Sequence, residues 1–119
     1  MSIQKLLYVF TQAPYSNSAG LEALDAVLIG AAFEQDISVL FIHNGVFQLN
    51  QNQSPNEGVK QFTKTYKALE DFGVDSVYVD RLSMASRGLE LSQLICPAVS
   101  LEPEQITDLL SEQYRVFTF

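Results

Sequence analysis

The chain has 119 residues, the size of one domain and enough to bury a core without disulfide or metal staples. Apolar residues make up 47% and charged residues 18%, which excludes a disordered chain, and no apolar run approaches the ~18 residues of a membrane span. Seven Lys and Arg against 14 Asp and Glu leave a net charge of −7, which excludes a general attraction to phosphate backbones, so neither nucleic acid nor membrane is expected as a direct partner.

The first element in chain order is Lys5 to Phe10, a short and almost wholly apolar run. It reads as a strand buried on both faces, as in a parallel sheet. Thr11 to Ser18 is rich in turn formers and reads as a loop. Ser18 to Gln35 reads as a helix with Ser18 as its cap and Glu22 and Asp25 in its early turns, where negative charge suits the helix dipole. Ile37 to Ile42 is a second buried strand, and the polar stretch Asn50 to Gly58 a loop. The spacing then predicts a second helix over Glu57 to Phe72, stopped by Gly73, and a third strand over Ser76 to Val79. Asp80 to Gly88 fits a short helix with Asp80 as cap and Gly88 as stop. Leu94 to Val99 is expected as a fourth strand, interrupted by Pro97. Pro103 to Gln113 reads as the last helix and Arg115 to Phe119 as a closing strand. Strands alternating with helices predict an α/β fold, a three-layer α/β/α sandwich with about five mostly parallel strands in one domain, residues 1–119.

The two long helices differ. On the second, Val59, Phe62, Tyr66 and Leu69 share a face, and Lys60, Lys64 and Lys67 cluster opposite, as on an ordinary surface helix; a docking surface for an acidic partner is the alternative. On the first, Leu21, Leu24, Leu28, Ala31 and Ala32 fill one arc, and Ala26, Ile29 and Phe33 continue the apolar surface around the other side. A helix apolar nearly all round is buried on more than one side, and in a domain this small another subunit most easily covers the second side.

The residues capable of chemistry are few. Thr11, Ser16 and Ser18 lie after the first strand, where α/β sheets commonly bind ligands, but the glycine pattern of a phosphate loop is missing, and capping and turn roles account for them. His43, the single histidine, follows the second strand; a general base is one reading and an ordinary loop histidine the other. Cys96 is the single cysteine, which excludes an internal disulfide and a Cys-only metal site. Its neighbours Leu94, Ile95 and Pro97 are apolar and no base lies within eight residues, so a buried, inert thiol competes with a reactive one. No metal and no cofactor is expected. The absence of disulfides and of a secretory pattern in Met1 to Phe10 points to the cytoplasm.

Several stretches in order resemble a known family. Tyr8-Val9-Phe10-Thr11-Gln12-Ala13-Pro14, then Ala19 to Ala26 (AGLEALDA), Leu40-Phe41-Ile42 followed by Asn44-Gly45-Val46-Phe47-Gln48-Leu49, and Ser86-Arg87-Gly88-Leu89 are similar to the TusC/DsrF members of the DsrE/DsrF-like proteins. The resemblance implies a cytoplasmic subunit of a sulfur-relay complex. In that complex TusB-, TusC- and TusD-like subunits form a dimer of heterotrimers, which takes persulfide sulfur from a TusA-like donor and passes it to a TusE-like acceptor for 2-thiolation of a tRNA wobble uridine. In DsrEFH relatives the same architecture serves sulfur oxidation. The sulfur-carrying cysteine of the TusD/DsrE subunit stands just after a strand, before a short helix ending in Arg-Gly. Counted back from Arg87-Gly88, the matching position here is Asp80, and Cys96 does not match. The resemblance therefore implies a non-catalytic subunit; a persulfide carrier using Cys96 and a stand-alone small-ligand-binding α/β module are the alternatives. Ala26, Ile29 and Phe33 are the subunit's expected interface, with Asn44, Gly45 and Val46 shaping the rim of a partner's active site.

Overall fold

The computed structural model describes residues 4–14, 19–32, 36–50, 62–74 and 76–119. Strands β1 (Lys5–Phe10), β2 (Asp36–Phe41), β3 (Ser76–Asp80), β4 (Val99–Leu101) and β5 (Arg115–Thr118) form one sheet in the order β4-β3-β2-β1-β5. Every pairing is parallel, with Leu7 of β1 beside Ser38 of β2 and Val116 of β5. The helices are α1 (Ala19–Ala32), α2 (Arg81–Ser86) and α3 (Pro103–Ser111).

β1 lies inside the sheet, between β2 and β5, and is apolar because both of its faces are covered. Its alternate residues divide between two clusters. Tyr8 and Phe10 join Ile37, Val39, Phe41 and Val79 beneath Ala23, Leu24 and Val27 of α1. Leu7 and Val9 join Leu40 on the opposite face, where Ile106 and Leu109 of α3 pack. The three-layer sandwich is thus present, with one face covered by α1, α2 and short 3-10 segments and the other by α3. The stripe of α1 that meets the sheet is Ala23, Leu24 and Val27, all buried, whereas Leu21, Leu28 and Ala31 flank it half-buried. Gly30 lets α1 lie close: a Cβ there would stand 2.7 Å from Ile37 Cδ1 and 3.2 Å from the Tyr8 hydroxyl.

Two expectations change. Leu94 to Val99 is not a strand. Only Val99–Leu101 pairs with β3, while Leu94 makes an isolated antiparallel bridge to Asn50 and Ile95 N–H donates to Leu49 C=O at 2.7 Å. The run is apolar because Leu94, Ile95 and Cys96 plug the core from a loop, and Pro97 lacks the N–H that a ladder needs. The second helix is wound as two 3-10 segments, Phe62–Ala68 and Glu70–Phe72; Glu57 to Gln61 lie outside the described residues. Gly73 ends the second segment in the left-handed conformation, φ 93°, which only glycine adopts freely.

Candidate functional site

The carboxyl ends of β1, β2 and β3 converge on one polar rim. β3 ends at Asp80, whose extended backbone lets its carboxylate turn back over α2. It accepts the Ser83 hydroxyl at 2.6 Å and the Ser83 N–H at 3.3 Å. Ser83 is buried, and its hydroxyl oxygen accepts the backbone N–H of His43 at 2.8 Å. A chain of hydrogen bonds thus runs from the end of β3 to the turn after β2. That turn is tight: His43 has φ 51°, an uncommon conformation for a residue with a Cβ. Just past the end of α2, Arg87 Nε donates to Asn44 Oδ1 at 3.0 Å, and Nη1 to Ser83 C=O and the Ser86 hydroxyl. Arg81 at the other end of α2 pairs with Glu102.

Beneath the rim the chain is packed without slack. A Cβ at Gly45 would stand 1.9 Å from the Phe10 carbonyl oxygen, so the 3-10 segment His43–Leu49 lies directly on the end of β1. Gln48 is fully buried; its Oε1 accepts the Tyr66 hydroxyl at 2.9 Å and its Nε2 donates to Gln12 C=O at 3.0 Å. One amide therefore ties together the loop after β1, the segment after β2 and the 3-10 segment of Tyr66.

Cys96 stands elsewhere. It lines a cleft of about 360 Å³ with Tyr66, Leu69, Tyr78 and Pro97 and with the charged Lys67 and Glu70, beside the first residues of β3. Burial alone pushes its thiol up to about 11. At neutral pH that thiol is protonated and a poor nucleophile.

The expected site residues separate accordingly. Asp80 occupies the cap position as read. Thr11 does not offer its hydroxyl to a ligand, since it donates to Phe119 C=O at 2.7 Å. His43 presents an exposed side chain beside exposed Asn44. Gly45 and Val46 are buried within the chain, so an interface there would meet His43 and Asn44 instead. On α1, Ile29 is 60% exposed and Ala26 half-buried. Lys67 is exposed on its 3-10 segment, which Lys64 shares; Lys60, Phe33, Ser16 and Ser18 lie outside the described residues. Among the described residues no group of three His, Cys, Asp or Glu is placed to hold a metal ion, and no helix is long and apolar enough to cross a membrane. Reading the sequence missed Ser83 and the Gln48–Tyr66 pair. Ser83 was readable, as a hydroxyl three residues after a capping aspartate; Gln48 and Tyr66 are joined only by tertiary packing.

The model of the DsrE/DsrF-like family matches residues 4–119. The chain belongs to that family. Among the relatives of this DsrE/DsrF-like chain is the intracellular sulfur oxidation protein DsrF of Allochromatium vinosum, 36% identical over 98% of this chain and 97% of that one. The TusC homolog of Pseudomonas aeruginosa is also 36% identical, over 97% and 98%, and that of Aliivibrio fischeri 32%, over 98% and 100%. The crystal structure of the ychN protein from E. coli matches with a TM-score of 0.84 over 98% of this chain and all of that one; at 19% identity it bears on the fold alone.

Proposed function

We propose that this chain, as a single domain over residues 1–119, is a non-catalytic subunit of a cytoplasmic sulfur-relay complex. It assembles with TusB-like and TusD-like subunits as a dimer of heterotrimers, and the complex carries persulfide sulfur from a TusA-like donor to a TusE-like acceptor for 2-thiolation of the tRNA wobble uridine. The observation that carries this reading is Asp80. A carboxylate, committed to capping α2 and to the Ser83 hydroxyl, stands where the resemblance places the sulfur-carrying cysteine of a sister subunit. It has no sulfur to accept a second sulfur atom. The cysteine present, Cys96, is held protonated by burial, which supports a structural thiol. The names of the TusC homologs support the choice of relay.

Co-expression with TusB-like and TusD-like partners, followed by native mass measurement, tests the assembly: two copies of each subunit are expected, and a chain that stays alone overturns the reading. In the assembled complex, Cys96→Ser is expected to leave sulfur transfer intact. Peptide mass analysis after exposure to a persulfide donor is expected to add no sulfur atom to the Cys96 peptide. A second reading, sulfur oxidation in a DsrEFH-type complex, draws support from the relative named DsrF. Deleting the gene separates the two: loss of 2-thiouridine in tRNA supports the first, and intact tRNA with impaired sulfur oxidation the second.

A further inference from the structure

We infer that β5 is a homotypic interface, through which two copies of this chain pair edge to edge and antiparallel to make one continuous sheet. Among the described residues, β5 closes one side of the sheet and pairs only with β1. All four of its residues are exposed, and Tyr114, Val116 and Phe117 are 58%, 40% and 36% exposed. An exposed strand edge is a template for another strand, and proteins that keep one free protect it with charged side chains, lysine above all, with proline, a bulge or a very short strand. Residues 114–118 (YRVFT) carry no lysine and no proline, Arg115 is their single charge, and β5 keeps an unbroken four-residue register with β1. The opposite edge strand, β4, has three residues and follows Pro97 closely, so it offers a shorter template.

The main chain selects the mode of pairing. Phe119 N–H donates to Val9 C=O and Thr11 N–H to Phe119 C=O, so Phe119 directs both groups toward β1. Successive residues of a parallel ladder alternate in direction. Arg115 and Phe117 therefore also bond inward, and Val116 and Thr118 direct N–H and C=O outward; the alternation ends at the start of the strand, where Tyr114 N–H donates to Lys5 C=O of β1 at 2.8 Å, so the outward ladder rests on Val116 and Thr118. A twofold axis normal to the sheet at Val116 sets Val116 opposite Val116 of the second copy as a hydrogen-bonded pair. It sets Arg115 opposite Phe117 of the second copy as the closer-spaced pair between hydrogen bonds. Each Arg115 guanidinium then meets an aromatic ring, twice by symmetry, a favourable cation–π contact. Phe117 already stacks on Tyr8 with ring centroids 5.1 Å apart, so the ring that receives the guanidinium is fixed from behind. The strand is thus complementary to itself, and the occupant of this edge is a second copy of the chain.

The interface does not depend on the relay reading, and the isolated full chain tests it. Native mass and sedimentation across a dilution series are expected to give a dimer, twice 13.3 kDa, that dissociates on dilution. Val116→Lys places two ammonium groups opposite one another, and Thr118→Pro removes an outward N–H while leaving the inward bonds of Arg115 and Phe117. Both variants are expected to be monomers with unchanged circular dichroism, and Ile29→Lys on α1 is expected to stay dimeric. Amide exchange at Val116 and Thr118 is expected to be at least about tenfold slower in the dimer than in either variant. A wild-type chain that stays monomeric throughout, a dimer that survives both substitutions, or equal exchange in all forms overturns the inference.

Discussion

Asp80 and Cys96 are both reached from β3, yet they stand in opposite chemical settings. Asp80, at the carboxyl end of the strand, is surrounded by groups suited to a negative charge: the N–H and hydroxyl of Ser83 and the start of a helix. Cys96, near the strand's first residues, is half-buried in a mostly apolar cleft that Lys67 and Glu70 also line, and burial penalises a negative charge on it. The setting that would activate a thiol holds a carboxylate, and the thiol sits where it stays protonated. Reactivity belongs to the environment as much as to the residue, and in this chain the two are separated.

That contrast is sharpest in what each region tolerates. Gly45→Ala is expected to have the largest effect, because a methyl group cannot stand 1.9 Å from the Phe10 carbonyl oxygen. A loss of more than about 3 kcal/mol should appear in denaturant titration. Tyr66→Phe removes the donor to buried Gln48 and leaves its Oε1 short of a partner. The expected cost is about 1–3 kcal/mol, read as a lower midpoint with an unchanged slope. Asp80→Ala should cost about 1–2 kcal/mol by uncapping α2 and releasing Ser83, whereas Asp80→Asn keeps an acceptor and should cost about 0.5 kcal/mol or less. Equal losses for the two would mean that the carboxylate charge, rather than its capping oxygen, matters.

On the cleft side the effects are smaller and depend on pH. Cys96→Ser is expected to change stability by about 1 kcal/mol or less. Alkylation of Cys96 in the folded chain should be slow at pH 8 and rise about tenfold per pH unit until pH approaches its raised value of about 11. The same shift has a sign for stability. The folded state holds the thiol proton more tightly than the unfolded chain, so this contribution is full below the ordinary thiol range and is lost as pH rises through about 11. Rapid alkylation at pH 7 would place Cys96 in the same class as an activated cysteine and erase the contrast.

The sequence carried most of the frame. β1 and β2 were legible as apolar runs because strands covered on both faces have no polar side to show. The Asp80 cap and the Gly73 stop were legible because each meets a local backbone demand. Leu94 to Val99 misled because apolar content reports burial and not the hydrogen-bonding partner: a loop that plugs the core and a buried strand have the same composition. The stripe of α1 was displaced for a related reason. On a helix apolar nearly all round, periodicity cannot say which side faces the sheet, and the small Ala23 and Val27 take the buried line.

The strands β1, β2 and β3, the helices α1 and α3 and the carboxylate at the α2 cap followed from the amino-acid sequence by itself, because each depends on neighbours within a turn or two of chain; the acidic charge followed from composition alone. Which distant groups meet was decided only in three dimensions. Arg87 reaches Asn44 across 43 residues, Ser83 holds the turn at His43 across 40, and Gln48 gathers Gln12 and Tyr66. Such contacts are set by strand order, and strand order is fixed by the packing of both faces of the sheet at once.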